Sequence, residues 1–180
     1  MAGDSLLVVA DLQQNMGDAM PGKVLNRVLR NTDLLVRAAD LLKIPILQTE
    51  QNVQELGRTI PTIAGVLPTS ASLFEKMIFS CCGADGFLAA LDRSGRRQVV
   101  VVGMEAHICV LQTALELADA GLSVFVIEDA ICSRRLENYH NALTRMQRSA
   151  IHVISAESAV FEWLGSADHE YFKLIQSMLR

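Results

Sequence analysis

The chain has 180 residues, of which 51% are apolar and 20% charged, with a formal net charge of −4. That length suits a single domain over residues 1–180, and so apolar a chain with so small a charge is not disordered. No basic excess points to nucleic acid as a partner, and no apolar run approaches the ~18 residues that span a bilayer, so no membrane partner is expected.

Leu6-Leu7-Val8-Val9 reads as a buried strand ending at Asp11. Behind a Pro21-Gly22 start, Leu25, Val28, Leu29, Thr32, Leu35, Val36, Ala39 and Leu42 recur at helical spacing. Ile44–Leu47 is a second short strand, with Pro45 suited to its first position. Residues 50–75, with Gly57, Pro61, Gly65 and Pro68, read as an irregular loop, and a loop that long inside a compact domain is either functional or misread. A short helix over Ala84–Leu91 follows. Val99–Val102 is four valines in a row, the pattern of a parallel strand covered on both faces. Ile108–Ala120 predicts a helix stopped by Gly121, and Ser123–Ile127 a strand ending at Glu128-Asp129. Leu136–Arg148 is a helix and Ile151–Ile154 a strand. Ser155 is placed to cap a helix through Trp163, and a last helix covers about 168–179.

Strands alternating with helices predict an α/β fold, a mostly parallel sheet with helices on both faces. In such sheets ligands bind outside the carboxyl ends of the strands. That rule singles out Asp11, Gln48–Gln51, Gly103–Cys109 and Asp129.

Cys109 lies past a buried strand near the start of a helix, where the helix N-terminus stabilises a thiolate and lowers its pKa. A free cysteine is also a common core residue, and position alone does not choose. Asp11 suits a base or a metal ligand, yet a carboxylate there also caps loops. Lys76, within Leu73–Phe79, suits an active-site cation, yet such lysines also snorkel to water. Taken singly, Asp11 and Lys76 read as structural. No HxxxH or HxH pair and no CxxC suggests a metal site. Gly83–Gly86 lacks a phosphate-loop pattern and reads as a turn. Four cysteines are too few for a disulfide scaffold, and MAGDSLLVVAD lacks the basic n-region of a signal peptide. A cytoplasmic protein with reduced thiols is the expectation.

Three segments together carry a resemblance: LLVVADLQQNM at Leu6–Met16, FEKMIFSC at Phe74–Cys81 and VVVVGMEAHICVLQTA at Val99–Ala114. With Thr49–Gln51, Leu56–Thr59 and Asp129–Arg134, they resemble the isochorismatase-like cysteine hydrolases, in the isochorismatase domain-containing branch. The resemblance implies a three-layer α/β/α sandwich, Rossmann-like, around a mostly parallel sheet. It carries over a triad of Asp11, Lys76 and Cys109, with a non-proline cis peptide between Met104 and Glu105. The amides of Glu105 and Cys109 would form the oxyanion hole. Met16, Gln51, Phe79 and Ala106 would lie beside the substrate.

The implied reaction is metal-independent hydrolysis of a small amide or related acyl substrate through a thioester. Nicotinamidases of the family bind a metal with an Asp and two His in the second-strand loop. Here Thr49–Glu55 has no histidine, so neither a metal nor any other cofactor is expected. Ala106 stands where many members have threonine. Cys81, Cys82 and Cys132 read as packing. The family also implies a homo-oligomer; the last two helices are candidate interfaces, with core packing the simpler reading of them. The competing reading is a binding or scaffold protein that retains the fold without turnover.

Overall fold

The computed structural model describes residues 1–179. Their strands are β1 (Ser5–Ala10), β2 (Ile46–Gln51), β3 (Ser72–Lys76), β4 (Gln98–Met104), β5 (Ser123–Cys132) and β6 (His152–Ile154). They form one parallel sheet in the order β3-β2-β1-β4-β5-β6. The helices are α1 (Gln14–Asp18), α2 (Gly22–Leu41), α3 (Val53–Leu56), α4 (Pro61–Ala64), α5 (Phe87–Ser94), α6 (Leu111–Asp119), α7 (Leu136–Arg148), α8 (Ala156–Leu164) and α9 (Phe172–Met178).

Alternate residues of β1 feed opposite faces of the sheet. Leu7 and Val9 join the core under α2, α8 and α9, with Val28, Leu35, Val160 and Ile175. Leu6 and Val8 join the core under α5, α6 and α7, with Phe87, Leu111, Leu117 and Met146. The result is a three-layer α/β/α sandwich with Rossmann-like strand order. Its switch point lies between β1 and β4, where such folds place their ligands. Close approach there depends on Gly103 (φ 130°), because a Cβ at that position would meet the Ala10 carbonyl oxygen at 1.9 Å.

Several elements differ from the sequence reading. Residues 50–75 are not one loop: they contain α3, α4 and the edge strand β3. Among the described residues no strand pairs with β3 on its outer edge; Leu73 is 48% exposed, and the strand lacks an apolar run. Pro45 precedes β2 and contributes only its carbonyl, which accepts the Leu7 amide at 2.9 Å. β2 then runs on through four buried polar residues, Gln48–Gln51. β5 continues past Ile127 to Cys132 across a register shift against β4. Asp129 is therefore inside a strand, and its Oδ1 accepts the Ala156 amide at the start of α8. Ser155 does cap α8, accepting the Ser158 amide. Trp163 and Ile175 of the last helices are core residues, while Phe161 and Leu174 keep exposed surface.

Candidate active site

Three strand ends bring Asp11, Lys76 and Cys109 together. Asp11 follows β1 with φ of 51°, a region that aspartate enters more readily than most residues. Its amide donates to the Thr49 carbonyl at 3.1 Å, which ties it to β2. Lys76 is the last residue of β3. Cys109 lies in a wide turn, Ala106–Val110, between β4 and α6. There the Val110 amide reaches back five residues to the Glu105 carbonyl at 3.3 Å, a π-type bond of the kind common at functional sites. The peptide joining Met104 to Glu105 is cis.

Lys76 Nζ donates to Asp11 Oδ2 at 2.7 Å, to Gln51 Oε1 at 2.8 Å and to the Phe79 carbonyl at 2.8 Å. It lies 3.8 Å from Cys109 Sγ. The other Asp11 oxygen accepts from Thr49 Oγ1 at 2.7 Å. Beneath this pair, Thr49 Oγ1 lies 3.4 Å from Cys81 Sγ, so Cys81 packs directly under the site. Gln51 holds Lys76 rather than standing free for a ligand, because its Nε2 donates to the Met77 carbonyl at 2.7 Å. Gln13, absent from the sequence reading, accepts the Gln51 amide and donates to the Gln51 and Gly57 carbonyls. It thereby joins β1, β2 and the following loop.

Electrostatics corrects one expectation. Burial, followed by the Asp11 carboxylate, pushes the Cys109 thiol well above its ordinary range; Lys76 pulls the other way without cancelling this. The helix start does not hold a standing thiolate. The resting group is a neutral thiol beside a carboxylate, an arrangement suited to proton transfer at the moment of attack. Burial likewise pushes Cys81 up to about 11 and Cys132 up to about 12.

Cys109 opens onto a pocket of about 240 Å³. Met16, Gln51 and Phe79 line it, together with Asn15, Ala19, Met20, Leu56, Glu105, Ile108 and Arg134. Ala106 does not: its side chain is fully buried in the core toward α6. Met104 also faces core, on the opposite side of the sheet. Arg134 was not singled out in the sequence. Its amide donates to Glu105 Oε2 at 2.9 Å and its Nε to Oε1 at 3.1 Å.

The second-strand loop does not fit a metal. The Glu50 carboxylate accepts from Arg58 at 2.8 Å and from the Thr59 amide and hydroxyl at 2.7 Å each. Burial pushes its pKa up, but these bonds outweigh it and hold the group below the usual carboxylate range.

The isochorismatase domain model matches residues 5–158. The chain belongs to the isochorismatase family. Isochorismatase domain-containing protein 2 of Bos taurus is 31% identical to it, over 100% of this chain and 85% of its own length. A secreted isochorismatase effector of Phytophthora sojae is 34% identical over 85% of this chain and 74% of its own. Among solved structures, the MAR1 ribonuclease of Caenorhabditis elegans shares 32% identity with a TM-score of 0.93, covering 99% of this chain and 90% of that one. Membership places the chain among isochorismatase-like hydrolases by family. No helix of its described residues is long and apolar enough to cross a membrane.

Proposed function

We propose that this isochorismatase-family protein is a metal-independent cysteine hydrolase that cleaves a small amide or related acyl compound. One observation carries the reading: Lys76 Nζ bridges Asp11 Oδ2 at 2.7 Å and Cys109 Sγ at 3.8 Å, at the foot of a pocket. Asp11 takes the thiol proton as the Cys109 Sγ–carbon bond forms and the carbonyl electron pair moves to oxygen. The Glu105 and Cys109 amides hold that oxyanion. As the carbon–nitrogen bond breaks, Asp11 returns the proton to the leaving amine. Water then attacks the thioester, giving its proton to Asp11, and the departing Cys109 thiolate recovers that proton. Lys76 keeps the carboxylate placed and balances the charge.

The reading includes one domain over the chain and a cytoplasmic location. It also includes a homo-oligomer, supported by exposed Met77, Ile78 and Phe79 beside the site. A monomer by light scattering contradicts that part. RNA, suggested by the name of the Caenorhabditis elegans structure, is disfavoured by the small, largely apolar pocket and the net charge of −4. The test is amide hydrolysis by the wild type, Cys109→Ala and Asp11→Asn. Loss of turnover in Cys109→Ala, and a fall of about 10²-fold or more in Asp11→Asn, is expected. Turnover surviving in Cys109→Ala would sink the reading.

A further inference from the structure

The pocket wall indicates what kind of acyl group fits. Met16, Met20, Leu56, Phe79 and Ile108 supply its apolar surface. Each of its polar side chains makes at least one bond to the protein. Gln51 bonds at both ends, to Lys76 and to the Met77 carbonyl. Asn15 donates to the Glu55 carbonyl at 2.6 Å. Glu105, only 4% exposed, has each carboxylate oxygen held by Arg134. Lys76 is matched by Asp11. Among the described residues, each charged group that lines or floors the pocket has an opposite partner, although the Arg134 side chain is 58% exposed and bonds Glu105 through Nε rather than its Nη nitrogens.

We propose that the site takes the neutral primary amide of a short, uncharged aliphatic acid, and discriminates against anionic and cationic acyl groups. This rests on the hydrolase reading for turnover but not for binding. A substrate carboxylate would meet the Glu105 carboxylate, and the Arg134 guanidinium within its reach is already neutralised by that group, so its lost hydration is replaced only in part. A substrate ammonium would meet the Arg134 guanidinium, and the Glu105 carboxylate that could hold it is already paired. An alkyl chain loses nothing polar and gains burial against the methionines, Phe79 and Ile108. A pocket of about 240 Å³ suits a ligand of about eight non-hydrogen atoms at roughly 30 Å³ each. Hexanamide is of that size, as are the charged analogues succinamate and δ-aminovaleramide. Glu105 is the specificity determinant, since it neutralises Arg134.

The test measures binding of these three amides to the Cys109→Ala protein by ligand-observed NMR, and their hydrolysis by the wild type. Hexanamide is expected to bind, and to be preferred over either charged amide by about 100-fold or more. Glu105→Gln leaves Arg134 uncompensated and is expected to move the succinamate-to-hexanamide binding ratio upward by about 10-fold or more. Succinamate or δ-aminovaleramide binding as well as hexanamide overturns the proposal. So does a failure of all three to bind, or a ratio unmoved by Glu105→Gln. Hexanamide binding without Cys109-dependent hydrolysis supports the binding preference and overturns the hydrolase reading alone.

Discussion

Lys76 Nζ lies 2.7 Å from Asp11 Oδ2, and neither side chain has exposed surface. The pair is balanced in charge and its remaining valences are filled by Thr49, Gln51 and Phe79. Removing one partner strands the other in a low-dielectric interior. Asp11→Asn is expected to cost about 3–5 kcal/mol in urea unfolding. The double variant Asp11→Asn/Lys76→Met is expected to cost less than the two single losses summed. A single-variant loss below about 1 kcal/mol would mean that the pair behaves as a solvated one.

The neutral resting thiol has its own signature. Burial and Asp11 push the Cys109 pKa up. Ultraviolet absorbance of wild type minus Cys109→Ala is therefore expected to show no thiolate at neutral pH. A thiolate signal should emerge only above about pH 9. A full thiolate signal at pH 7 would contradict a general-base role for Asp11.

How much of this was legible beforehand varied by element. β1 and β4 are read easily, since strands covered on both faces are uninterrupted apolar runs. β3 is not, because only Lys76 among its five residues is buried. The polar half of β2 reads as loop until the partners of Gln48–Gln51 are known. Asp11 and Lys76 are 65 positions apart, so nothing local distinguishes them from a cap and a snorkelling lysine; the family resemblance brought them together. Arg134 escaped notice because its partner, Glu105, is 29 positions away. The helix position that favours a Cys109 thiolate is local in sequence, whereas the burial that pushes its pKa up is not.

Raised thiol pKa values also predict alkaline sensitivity. A folded-state pKa above the unfolded one gives stability that is present below the unfolded pKa and lost as pH rises toward the folded one. For Cys132, pushed up to about 12 by burial and by Glu105, that window begins near the ordinary thiol value of about 8.5. Urea midpoints of the wild type are expected to fall across it. Cys132→Ala should fall less steeply over the same range. Parallel slopes for the two proteins would count against the assignment.

Glu50 works in the opposite direction. Its bonds to Arg58 and Thr59 keep its pKa low, so its contribution is present above the ordinary carboxylate pKa and is lost as pH falls. Glu50→Ala leaves the Thr59 amide unpaired and is expected to cost about 1–3 kcal/mol. Hydrogen exchange in residues 52–60 should rise most. Unchanged protection there would show that other contacts hold the loop.

The central claim is that Cys109 becomes acylated. The direct measurement is acid quenching of wild-type protein during turnover of hexanamide, followed by peptide mass mapping. A hexanoyl adduct on Cys109, hydroxylamine-labile and absent from Cys109→Ala, is expected. Turnover with no acyl group on Cys109, or with one on another residue, would contradict it.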